Sequence, residues 1–259
     1  MTNAPAPRRP AAGWLPILAI GGAFLLFVGF LLLQRSSPES VEARLMARPE
    51  LSATLAAFRD TYPNDYRAYL TALSEITDRQ GAEEADRAAT TRLRSFIAGK
   101  ADAIASAPVA DLDSLADANL ASLLQLREAG APLCAAYLRD GAQGERLPPA
   151  ALATIGQANA LQFRAARNGE GPQRVTRGPL SEADGAMWFL AIRQLDPRVT
   201  DRINANSAGQ GSAVERCATG IALYRAAAAL PAEQGANVTA HLVRQSFARA
   251  SERPAAPAR

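Results

Sequence analysis

From Ala11 to Leu33 the chain reads AAGWLPILAIGGAFLLFVGFLLL, 23 residues without a charged side chain. At about 1.5 Å of rise per residue a helix of this length reaches roughly 35 Å, against a hydrocarbon core of about 30 Å. Residues 11–34 are therefore expected to form a single transmembrane helix. Trp14 stands where an interfacial aromatic belongs and Arg35 closes the far end, while Pro16 lies near the first turn, where a missing N–H costs little. A cleaved signal peptide would have an apolar stretch of about 7–15 residues and a small-residue cleavage site, which LLLQRSSPES does not offer. Gly22 and Gly29 fall on one helical face and would let a second helix approach, so a weak homodimer through them is expected, although there is no GxxxG pattern.

Arg8 and Arg9 precede this segment, and Arg35, Arg44 and Arg48 follow it, so the Lys/Arg count does not by itself set the orientation. The order of a short basic head, one apolar helix and a long domain is that of a signal anchor. It leaves residues 1–10 as a cytoplasmic head and exports the rest. The expected location is the inner (cytoplasmic) membrane, single-pass, with a periplasmic C-terminal domain.

The formal charge of +3 belongs to the membrane flanks. Arg8, Arg9 and Arg35 stand in residues 1–35 without an acid, which leaves 25 basic against 25 acidic residues beyond them. A neutral domain gives no support to nucleic-acid binding.

After the apolar segment, residues 35–50 read as a juxtamembrane linker and helix, 51–250 as an all-helical soluble domain, and 251–259 as a disordered Pro/Ala-rich tail. Proline and capping residues mark helix starts at Ser40 or Glu39, Pro49, Pro63, Asp111, Pro149, Ser181, Ser212 and Pro231. Glu83 to Ser106 reads as one long helix, and Pro197 as the end of the helix begun at Ser181. No run of alternating β-branched residues between turns suggests a strand. The fold class is thus all-α, a compact bundle of about eight helices behind one transmembrane helix.

Cys134 and Cys217, the only cysteines, lie on apolar helical stripes and, given export, are expected to form a disulfide. His241 is the only histidine and sits at the edge of an ordinary amphipathic stripe beside Val238 and Leu242, which points to a structural role. No C-x-x-C, zinc-ligand set or phosphate loop occurs, so no metal or cofactor is expected. Glu128, Glu182 and Asp184 are among 25 acids from which a carboxylate pair could be assembled, but spacing selects none.

Phe58, Tyr62, Tyr66, Tyr69 and Leu73 recur at helical intervals and read as core. So do Trp188, Ile192, Leu195 and Val199 in the apolar stretch MWFLAI, expected to be a central buried helix. The loop from Asn168 to Pro179 is expected to display Arg174 and Arg177 as a docking site for a partner. Together these readings describe a membrane-anchored envelope protein that acts through protein–protein interaction and has no catalytic signature. A cell-wall hydrolase with a carboxylate pair, or a cytoplasmic-facing adaptor if the orientation is reversed, are the alternatives.

Overall fold

The computed structural model describes residues 36–141 and 147–251, so the apolar segment 11–34, Gly22 and Gly29, and the tail from 252 onward lie outside it. Among the described residues there are twelve helices and no strand. None of these helices is long and apolar enough to cross a membrane.

Proline at the first helical position opens α1 (Pro38–Met46), α2 (Pro49–Thr61), α3 (Pro63–Gln80) and α8 (Pro149–Glu170), where its fixed φ suits the turn and its missing N–H would have had no partner. Ser37 caps α1, and Ser212 with Glu215 forms a reciprocal capping box at the start of α11 (Ala213–Ala228). Gly81 and Gly130 end α3 and α6 (Val109–Ala129) at φ +92° and +149°, values that a side chain would resist.

Twelve helices stand where about eight are expected, and two of the additions have a local reason. The stretch read as one helix from Glu83 to Ser106 is two, α4 (Ala82–Ala98) and α5 (Ala101–Ala105), with Gly99 and Lys100 between them. The bend keeps Ile97 and Ile104 both in the core and lets Lys100 Nζ reach Glu170 Oε1 at 2.7 Å, across from Tyr62 Oη, which donates to Glu170 Oε2 at 3.0 Å. Burial raises the Glu170 pKa, but these two hydrogen bonds and the charges of Lys100 and Arg167 outweigh it, so the net shift is downward. The second addition is α10 (Val199–Ser207), which resumes after Pro197 although its Thr, Ile and Asn residues are poor helix formers. Burial of Val199 and partial burial of Ile203 against Ala222 and Ala226 hold it.

The middle of the molecule is α8, whose alanines let α2, α5 and α6 approach closely. A Cβ at Gly156 would stand 3.3 Å from the carbonyl oxygen of Glu50 on α2. Around this contact lies the main core, centred on Phe58, whose ring is 4.8 Å from Phe163, 4.7 Å from Phe96 and 5.5 Å from Tyr66. Val41 and Leu45 of α1 are wholly buried in the same core, so the helix within residues 35–50 packs on the domain rather than standing apart from it. Arg44 of α1 adds an ion pair to Asp86 of α4 at 3.2 Å.

The other half is organised on α11, which packs against α6, α7 (Ala131–Asp140), α9 (Glu182–Leu195), α10 and α12 (Ala232–Ser251). Cys134 of α7 and Cys217 of α11 are joined as a disulfide, with Cα atoms 5.4 Å apart and both residues buried beside Leu123, Leu126, Ile155 and Ile221.

Candidate functional site

The loop that leads to α9 displays only one of its two arginines. Arg174 is exposed, but Arg177 is 91% buried, its relative exposure being 9%. The Arg177 guanidinium donates through Nη1 to the carbonyls of Ala105, the last residue of α5, and of Ala107, two residues beyond it. Its Nε and Nη2 are buried without a hydrogen-bond partner. Burial disfavours its charge, and the carboxylates of Glu233 and Asp113 oppose that effect. Arg244 of α12 completes the fastening by donating to the carbonyls of Arg177 and Gly178 at 3.0 and 3.2 Å and to Asp102 at 3.0 Å. The segment is a strap rather than a presenting loop. Three glycines make such a stretch read as solvated, and nothing in its sequence says which carbonyls an arginine will find.

The strap delivers the chain to Ser181, whose hydroxyl accepts from Asp184 N and starts α9. Trp188 lies half-buried, with Nε1 donating to the carbonyl of Leu223 at 3.0 Å and its ring edge-on to His241. Ile192 is buried, and Asn237 donates to Asp184 at 3.1 Å. These contacts use only one side of the helix. The other side carries Met187, Phe189 and Leu190 at 37%, 39% and 57% exposure, and Leu195 at the end stands at 52%. Four of the six large apolar residues exposed among the described residues are therefore on this one helix. The expected central buried helix is instead at the periphery, because MWFLAI is apolar around its whole circumference while α11 and α12 cover one face. Met187, Leu190 and Leu195, with Ala229 and Leu230 beyond the end of α11, line an open groove of about 370 Å³.

A second, polar cleft of about 310 Å³ lies where α6 meets the α11–α12 junction, lined by Asp113, Asp117, Thr239, Leu230 and alanines. Burial, and then the neighbouring Asp117 carboxylate, raise the Asp113 pKa, with Arg177 opposing. The acids considered from sequence are elsewhere: Glu128 and Glu182 are exposed on α6 and α9, and Asp184 is held by Asn237. None of the three lines either cleft. Asp113 was legible as an early residue of its helix, but not as a member of a pair, since that depends on the cover α12 provides.

Compared with protein-family models, with curated proteins and with solved structures, the chain matches none.

Proposed function

We propose that this chain is a membrane-tethered, exported helical domain that works by binding protein through the open face of α9. The observation that carries the reading is the concentration of exposed Met187, Phe189, Leu190 and Leu195 on one helix. Water-exposed apolar surface costs about 25 cal/mol per Å², and a contiguous patch of it marks a contact surface more often than an ornament. Two further features support tether and compartment: the charge-free run from Ala11 to Leu33, and a buried Cys134–Cys217 bridge, which suits an oxidising environment. Of the two clefts described, the Asp113–Asp117 cleft is the one with a pair of carboxylates, and its lining of alanines, Leu230, Gly235 and Thr239 has no aromatic ring on which to stack a sugar.

Photocrosslinking in intact membranes tests the reading. A benzophenone amino acid at Met187 or Leu190 should capture a defined protein that the same probe at Arg79, 73% exposed on α3, does not. Equal capture from both places, or none from α9, overturns it. Recovery of the chain in the soluble fraction after carbonate extraction would remove the tether.

A further inference from the structure

The open flank of α9 has opposite charges at its two ends. Glu182, its first residue, and Arg193 are separated by eleven residues, about 16 Å along the axis and only some 20° around it. Both are exposed, and neither makes an ion pair among the described residues. Between them Ala183, Ala186, Met187 and Leu190 are open to solvent. A surface that is apolar in the middle, acidic at one end and basic at the other is complementary to itself when turned through 180°, which is the condition for a closed two-fold contact.

We propose that the partner of this face is a second copy of the chain, with two α9 helices packed antiparallel over Met187 and Leu190 and Glu182 of each copy facing Arg193 of the other. The inference rests on the reading of α9 as the working surface and names what occupies it. With the two-fold axis midway between Met187 and Leu190, those two residues lie opposite each other's counterparts. Glu182 then falls two residues, about 3 Å, from the level of the other copy's Arg193, within the reach of both side chains. Ala183 and Ala186 add little bulk, which suits helix axes about 8–10 Å apart. Antiparallel packing also sets the two helix dipoles head to tail. One helix about 21 Å long, extended by Ala229 and Leu230, is smaller than a standard interface of about 800 Å² per partner, so association in dilute solution is weak. Confinement of both copies to one membrane supplies the missing concentration.

The test uses the full chain in phosphatidylcholine vesicles, prepared as an equal mixture of ¹⁴N- and ¹⁵N-labelled protein with the photocrosslinker at position 190. The expected product is a mixed-label peptide joining position 190 of one copy to the segment around Met187 of the other. Glu182→Arg and Arg193→Glu, each alone, set like charges opposite each other at two symmetric places and should lower the yield by about threefold or more, and the double variant should restore it. Leu190→Asp, followed through a crosslinker at 187, should lower it by about tenfold or more. Both charged positions are exposed, but each swap gives up a favourable helix-dipole contact at one end of α9, so a small fall in melting temperature accompanies each, is largest in the double variant, and does not track the yield. Absence of mixed-label product, or single swaps without effect, overturns the dimer. If the same probe in cell membranes captures a different protein, α9 remains the working surface and only the second copy is wrong; if it captures nothing, both readings fall.

Discussion

The backbone of Gly169 on α8 passes so close to Ala103 on α5 that a methyl group at 169 would overlap the Ala103 carbonyl oxygen and lie 2.7 Å from its carbon and 3.1 Å from Ala107 N. These are main-chain atoms of a short helix and of the turn that follows it, both held by Arg177, and they cannot swing away as a side-chain tip would. Gly169→Ala is therefore expected to destabilise the domain by about 1–3 kcal/mol or more, although alanine is the better helix former. Gly178→Ala, with nothing within 4 Å of its Cβ, is the matched control and should be near neutral. Denaturant midpoints of the two variants check this, and equal midpoints would show that α5 yields.

The disulfide should matter more than any single packing contact in its half of the molecule. It spans a sequence separation of 83 residues, for which the chain-entropy relation gives about 4.5 kcal/mol as an upper figure. Thiol alkylation of unfolded, unreduced protein is expected to label neither cysteine. Cys134→Ser with Cys217→Ser should lower the midpoint markedly while leaving the aromatic core around Phe58 to fold. Labelling of both cysteines in protein taken directly from membranes would place the domain in a reducing compartment and reverse the proposed orientation.

Which parts of this architecture were readable follows from how local their causes are. Helix starts at Pro49, Pro63, Ser181 and Ser212 depend on residues within one turn, and they occur where proline and capping chemistry put them. The helical class and the burial of Phe58, Tyr62, Tyr66 and Tyr69 depend on periodicity, which is also in the sequence. The break at Gly99–Lys100 was not readable, because the partner that rewards it, Glu170, is seventy residues away. Nor was α10, which tertiary burial of Val199 holds against weak propensity. For α9 the apolar pattern was legible but not its consequence: a helix apolar on every side looks central, and only the arrangement of α11 and α12 decides which side is left open. Arg177 differs from Arg174 for the same reason.

Removing the strap's fastening should expose that difference to a protease. In the native domain Val175 N donates to Ser106 O at 2.8 Å and the Arg177 guanidinium fills the end of α5, so the peptide bond after exposed Arg174 is held close to the body of the protein. Arg177→Met keeps much of the side-chain volume but removes the donors to Ala105 and Ala107, leaving buried carbonyls unpaired. Limited trypsin digestion is expected to cut this variant after Arg174 faster than the native protein, with the fragments separating there. An unchanged cleavage order would mean that Arg244 alone, through the carbonyls of Arg177 and Gly178, holds the segment.

The polar cleft offers a test by pH, and its sign follows from Asp113. Burial raises the Asp113 pKa and the Asp117 carboxylate raises it further; Glu233 adds to this and Arg177 opposes. An acid whose folded pKa is raised above its unfolded value, near 3.9, contributes stability that is fully present below that value and lost as the pH rises through the folded pKa. At pH 7 the ionised Asp113 therefore opposes folding. Asp113 is the fifth residue of α6, beyond the turn in which a helix dipole would favour its charge. Asp113→Asn, which keeps the shape and removes the charge, should thus raise the denaturant midpoint at pH 7 relative to the native protein, with the gap closing as the pH falls below about 4. Asp117→Asn should give a smaller gain of the same sign, because it removes the repulsion but leaves the burial of Asp113. A lower midpoint for Asp113→Asn at pH 7 would show that attraction to the buried Arg177 guanidinium outweighs burial and Asp117 together, and that the cleft is an internal ion pair rather than a pair of opposed carboxylates.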